Sequence, residues 1–159
     1  MATAGSARDL DRLMKKLAPK SDVLVMAAAV ADVRPSTVAS AKIKKDRLKT
    51  VRFVKNPDIL ANLARRKKKG QVFIGFGLET ADLEKAGASK LRKKGLELIV
   101  LQKVGRGAKP FGERAVDAVL LDKSGKIERY CSVSKRKLAG VLVRRAEEIH
   151  KDLARWPSS

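Results

Sequence analysis

The stretch DVLVMAAAV, Asp22 to Val30, decides the fold. It is short, apolar and nearly continuous, the pattern of a parallel strand buried on both faces. It runs into Ala27-Ala28-Ala29, small side chains that let a ligand approach the backbone at the strand's carboxyl end. Upstream, Ser6 is suited to cap a helix, with Asp9 as its acidic first-turn partner. Leu10, Leu13, Met14 and Leu17 then recur at helical spacing, and Pro19 closes the segment.

Downstream the pattern repeats. QVFIGFG, Gln71 to Gly77, and LELIVLQ, Leu96 to Gln102, read as two more buried strands. A helix precedes the first of them. Asn56 is its expected N-cap, Pro57 its first residue and Asp58 its acidic start. Ile59, Leu60 and Leu63 give its buried side, and Arg65 to Lys69 meet its negative end before Gly70 stops it. A second helix is expected from a Thr80 cap, with Asp82 and Glu84 near its start and Lys93, Lys94 and Gly95 at its end. Residues 33 to 55 show no clean period and read as loop, as does Val104 to Glu113. AVDAVLLD and KIERYCSV flank KSG as a β-hairpin. Ser134 caps a last helix striped by Leu138, Val141, Leu142, Ile149 and Leu153.

Strands alternating with helices imply an α/β fold. The expected architecture is a Rossmann-like three-layer sheet with parallel central strands, finished by a C-terminal β-hairpin. One domain should cover 1–155, with 156–159 a frayed tail. In such sheets ligands bind beyond the carboxyl ends of the strands. Those ends are Ala27-Ala28-Ala29, Phe76-Gly77, and Gln102 onward.

Composition narrows the function. Of 159 residues 44% are hydrophobic but only 4% aromatic, so the core is built from Leu, Ile, Val and Ala. No apolar run approaches the ~20 residues that span a bilayer, and the N-terminus lacks a signal pattern. The expectation is a soluble cytoplasmic protein with no membrane partner. A single cysteine, Cys131, excludes an internal disulfide framework, and one histidine with one cysteine argues against a zinc site. The net charge of +20 attracts anions: nucleic acid, nucleotides or phosphorylated metabolites. A thermophile-like surface is the plainer source of that charge.

Seven cations, Lys42, Lys44, Lys45, Arg47, Lys49, Arg52 and Lys55, crowd one run before Asn56-Pro57-Asp58-Ile59. The run suits a basic arm, a solvated face or a lid. No G-x-x-x-x-G-K-S/T loop, no G-x-G-x-x-G after the first strand and no G-x-S-x-G elbow is present. His150, on a late charged helix, reads as a surface histidine. What remains is a convergence. Asp32 follows the first strand, Asn56 to Ile59 open a helix, and Phe76 ends the second strand. Lys90 and Lys94, four apart, share a helix face. The plainer readings are helix capping for Asn56 and Pro57, and a solvated face for the two lysines.

VMAAAVADVRPSTVASAKIKK, VKNPDILANLA, GFGLET and SKLRKKGLELIV together closely resemble phosphopantothenoylcysteine synthetase, in order and spacing over roughly Ala2 to Ile149. The family is the synthetase half of a bifunctional enzyme of coenzyme A biosynthesis. The resemblance implies a CTP-dependent ligase. The carboxylate of 4′-phosphopantothenate attacks the α-phosphate of CTP, and the amine of L-cysteine then displaces CMP. By resemblance, Met26, Ala27, Ala28 and Asp32 contact the nucleotide, and Lys42 is the catalytic lysine of a flexible lid. Asn56, Pro57, Asp58 and Ile59 hold the cytosine end, and Phe76, Lys90 and Lys94 complete the site. Mg²⁺ rides on the triphosphate.

The same resemblance implies a homodimer, or association with an N-terminal part carrying the first strand or strands, after which this chain would begin. Val33 stands where the family commonly has an aromatic. Glu97 and Gln102 stand where it has Asp and then Asn. Two other functions compete: a nucleotide-binding relic or partial subunit without turnover, and a basic nucleic-acid-binding module. The last has few aromatics for stacking and no recognised motif.

Overall fold

A computed structural model describes residues 1–44, 50–105, 112 and 114–155. Lys45, Arg47 and Lys49 of the basic run, most of the Val104 to Glu113 segment and the expected tail lie outside the described residues.

Helix α1, Ala7–Leu17, starts where the sequence places it. The Ser6 side chain accepts from the Asp9 N–H, and Ser6 Oγ donates to Asp9 Oδ2 at 2.7 Å, so cap and first turn hold each other. A short 3-10 turn, Ala18–Lys20, carries Pro19 and leads to strand β1, Val23–Met26. The expected loop at 33 to 55 instead contains two short strands, β2 (Val33–Pro35) and β3 (Phe53–Lys55), paired as an antiparallel ribbon. Three-residue strands carry too few side chains for a period to show.

Strand β4, Val72–Glu79, pairs parallel with β1 and with β5, Leu98–Lys103. Strands β6, Val116–Asp122, and β7, Ile127–Val133, add antiparallel as the expected hairpin. The five-stranded order is β1-β4-β5-β6-β7. Two apolar clusters cover its faces. On one, Leu10 and Met14 of α1 join Leu24, Phe73, Ile99 and Leu101, together with helices α2, Ile59–Ala64, and α3, Leu83–Lys94. On the other, Val72, Ile74, Leu98 and Val100 meet Leu138, Val141 and Leu142 of α4, Lys135–Arg155. The three-layer α/β fold with a parallel core is therefore present. Fully buried Phe73, Ile74, Leu98 and Leu101 each contribute roughly 1.5–3 kcal/mol of apolar transfer energy.

Four local expectations need correction. Asp58, not Asn56, is the N-cap of α2: its Oδ1 accepts from Ala61 N–H at 3.1 Å. Asn56 is held elsewhere, as described below. Helix α2 ends at Ala64, so Arg65 to Lys69 do not continue it. Lys67 leaves the helical path to reach the buried Glu97 and, at 2.7 Å, the Gly95 carbonyl, while Lys68 Nζ donates to the Pro19 carbonyl at 3.0 Å. Helix α3 is flanked by Asp82, left-handed at φ 46 and without a side-chain cap bond, rather than by Thr80. Its far end is as expected: Gly95, at φ 65, takes the left-handed position that stops a helix. His150 is half-buried, with Nδ1 2.8 Å from the Gly70 carbonyl, and so joins α4 to the start of β4 rather than facing solvent freely.

Candidate functional site

The carboxyl ends of β1, β4 and β5 open into a cavity of about 620 Å³. Its floor is Met26 to Ala31 and Phe76-Gly77-Leu78, where small residues replace the bulk of the strands. One wall is Asn56 to Leu60, leading into α2. The opposite wall is Lys135, Leu138, Ala139 and Leu142 of α4, with Lys90 and Lys94 of α3 and Gln102 of β5 completing the lining.

Eleven of the twelve residues singled out from the sequence line this one cavity: Met26, Ala27, Ala28, Asp32, Asn56, Pro57, Asp58, Ile59, Phe76, Lys90 and Lys94. They come from four separate segments, so chain proximity alone does not gather them. The twelfth, Lys42, is exposed and does not line the cavity. Beyond the Ser36 N–H bond to the Arg52 carbonyl at 2.8 Å, no backbone hydrogen bond ties the described residues 37–44 to the body. Nothing there fixes Lys42 over the opening.

Two of the cavity lysines, Lys90 and Lys94, are not bare charges. Lys90 Nζ lies 2.5 Å from Glu79 Oε1, and Lys94 Nζ lies 3.0 Å from Asp58 Oδ2. Both pairs are partly solvated, so each contributes little to stability. Their effect is on placement, because each carboxylate holds an ammonium at the cavity edge. Gly77 lies beside one of them but is required by Leu101 rather than by the lysine. A Cβ there would stand 3.5 Å from Lys90 Nζ and 2.8 Å from Leu101 Cδ2.

Asn56 joins two segments rather than capping a helix. Its N–H donates to the Asp32 carbonyl and its Nδ2 to the Ala31 carbonyl, both at 2.8 Å. Arg34 Nη1 donates to Asn56 Oδ1 at 3.0 Å and to the Lys55 carbonyl at 2.7 Å. Sequence reading missed Arg34, Glu79 and the α4 wall. Arg34 and Glu79 act only through a neighbour, and the α4 residues read as ordinary core stripe. Buried Glu97, by contrast, is structural. Its Oε2 accepts from Phe73 N–H at 2.9 Å and its other oxygen pairs with Lys67. Among the described residues no group of three or more His, Cys, Asp or Glu is arranged to hold a metal ion.

An α/β sheet whose parallel strand ends open on a cavity of small residues, rimmed by lysine–carboxylate pairs, has the geometry of a small-molecule site of such sheets. The comparisons make the assignment specific. Residues 1–149 match the DNA/pantothenate metabolism flavoprotein C-terminal domain, and the chain belongs to that family. It is 41% identical over 131 residues to the coenzyme A biosynthesis bifunctional protein CoaBC of Mycobacterium bovis. That match covers 76% of this chain and 31% of the mycobacterial protein, so the chain corresponds to under a third of its relative's length. The crystal structure of the C-terminal domain of a CoaBC protein superposes with a TM-score of 0.77 at 25% identity, covering 95% of this chain and 66% of that one. A Cab2 mutant in complex with phosphopantothenate-cysteine shares the fold at a TM-score of 0.66 and 16% identity, covering 90% of this chain and 51% of that one.

Proposed function

We propose that the chain is a CTP-dependent ligase domain that joins 4′-phosphopantothenate to L-cysteine in coenzyme A biosynthesis. The observation that carries this reading is the gathering of eleven resemblance-derived residues from separate segments around one cavity.

The chemistry suits the lining. Attack of a carboxylate oxygen on the α-phosphate of CTP forms an acyl–phosphate bond and expels pyrophosphate. The cysteine nitrogen then attacks the acyl carbon, CMP leaves with the bonding electrons, and the amine proton passes to solvent. Negative charge grows on the transferring and leaving phosphates, and positioned cations stabilise it. In this reading Lys90 and Lys94 supply that charge by exchanging Glu79 and Asp58 for phosphate oxygens. Met26 to Ala28 and Asp32 offer backbone and side chain to the nucleotide, Phe76 packs against it, and Asn56 to Ile59 hold the cytosine end.

Lys42 is the lysine that closes over the bound nucleotide. By the resemblance its segment is a lid, and closure would keep water from the acyl-cytidylate. Mg²⁺ fits as an ion carried in on the phosphates, neutralising their charge. The cavity offers it single carboxylates such as Asp32 rather than a protein cage.

Self-association belongs to the same reading. The β2–β3 ribbon exposes Val33 and Phe53, and Val38, Ile43 and Val51 of the chain between its strands are exposed too, apolar surface that a second copy would cover.

The test is a single-turnover reaction of the purified chain with CTP, Mg²⁺, 4′-phosphopantothenate and cysteine, with Lys42→Gln alongside. Pyrophosphate release that needs 4′-phosphopantothenate, and falls at least ~100-fold in Lys42→Gln, is expected. A chain that neither binds CTP nor releases pyrophosphate would end the ligase reading.

A further inference from the structure

We propose that Arg34 is a positioning residue of the cavity. It locks the Asn56 amide and, through it, the spacing between the 27–32 turn and the 56–59 wall. The proposal deepens the nucleotide reading above and rests on it for the ligand.

Arg34 does not line the cavity, whereas Asn56, Ala31 and Asp32 all do. No carboxylate pairs with Arg34 among the described residues; its guanidinium is used on the Lys55 carbonyl and on Asn56 Oδ1. At its other end the Asn56 amide donates to the Ala31 carbonyl. A cationic donor on one side and a carbonyl acceptor on the other leave the amide a single orientation. The flipped amide would set NH₂ against the guanidinium and oxygen against oxygen. The backbone bond from Asn56 N–H to the Asp32 carbonyl adds a third tie across the same junction. Arg34 thus removes the amide's freedom before any ligand arrives, and a ligand that meets a preset wall does not have to order it.

The full chain should be studied as Arg34→Met, Arg34→Lys, Asn56→Ala, Asn56→Asp and the Arg34→Met/Asn56→Ala double variant. Two quantities are measured: calorimetric affinity for CTP with Mg²⁺, and hydrogen exchange at the Asn56 amide. Arg34→Met should weaken CTP roughly tenfold, the size of one lost charge-assisted hydrogen bond. Arg34→Lys should recover part of that loss, which a merely structural arginine would not require. Asn56→Asp keeps the acceptor for Arg34 but cannot donate to Ala31, and should also bind more weakly. The double variant should be no weaker than Asn56→Ala alone, because the two residues act as one unit. Exchange at Asn56 should quicken in Arg34→Met.

CTP affinity unchanged in Arg34→Met, or losses that multiply in the double variant, would overturn the proposal. If the unsubstituted chain binds no CTP, the nucleotide reading fails. Exchange at Asn56 then still decides whether Arg34 fixes the junction, and an unchanged rate would overturn that as well.

Discussion

At the scale of single residues, the cavity depends on positions where one atom decides the packing. Gly77→Ala places a methyl 2.8 Å from Leu101 Cδ2, closer than real contacts allow, so Leu101 must shift. The expected loss is about 1–3 kcal/mol, read as a lower urea midpoint with an unchanged slope. Asp58 has two separable roles, capping α2 and holding Lys94. Asp58→Ala should lose about 1 kcal/mol, while Asp58→Asn keeps a capping oxygen and most of the stability. Equal losses in the two variants would show that the charge, not the cap, stabilises the helix. Asp58 also shows how sequence reading can go astray. Asn56 and Asp58 are both good caps, and the spacing to the apolar residues admits either. Asn56 is excluded only by Ala31, Asp32 and Arg34, whose approach belongs to tertiary structure.

At the scale of elements, α4 is fastened to the β6–β7 hairpin by Arg145. Its guanidinium lies 2.5 Å from Asp122, 2.6 Å from Glu148 and 3.2 Å from Glu128. Arg145→Met leaves the buried Asp122 without its cation and should cost about 3 kcal/mol, measured by chemical unfolding. The Tyr130 hydroxyl, donating to Glu128 at 2.7 Å, is the main cause holding the Glu128 carboxyl below its ordinary value of 4.5. Lys126 and Arg145 lower it further against the opposing effect of burial. A carboxyl lowered in the folded state contributes stability that is full above pH 4.5 and lost as the pH falls through the folded-state value. The thermal midpoint of the unsubstituted chain should therefore exceed that of Glu128→Gln above pH 4.5, and the gap should close in acid. A gap that widened in acid would reverse the sign of this coupling.

The elements themselves were legible in proportion to their burial. Continuous apolar runs marked β4 and β5, because strands covered on both faces leave no polar alternation. The run at β1 reads the same way, but β1 is an edge strand and Val25 on it is exposed rather than buried. Glycine and serine marked the ends of α3 and α1. The β2–β3 ribbon and the early end of α2 were not legible. One is too short to carry a period. The other is set by Lys67 turning toward Glu97, thirty positions along the chain.

At the scale of the whole molecule, the +20 charge and the cavity are different features. Lys90 and Lys94 of the cavity are paired with carboxylates. Lys16, Lys20, Arg66, Lys69, Arg92 and Lys93 have no ion-pair partner among the described residues. They lie on segments that meet through the bonds from Lys68 to Pro19 and from Lys67 to Gly95, at the opposite end of the parallel strands. Any polyanion attracted by that field should be released by salt, since such binding depends on displaced counterions. A ligand of the cavity should be far less sensitive. Sedimentation should also find a dimer that Phe53→Ser weakens, if the exposed ribbon is covered by a second copy.

The measurement that tests the central claim most directly is calorimetric titration of the chain with CTP and with ATP, each with Mg²⁺, at low and high salt. Saturable binding of one nucleotide per chain, tighter for CTP and retained in high salt, is the expected result. Equal binding of both nucleotides that vanishes in high salt would contradict it, and would reduce the cavity to a bystander of a positively charged surface.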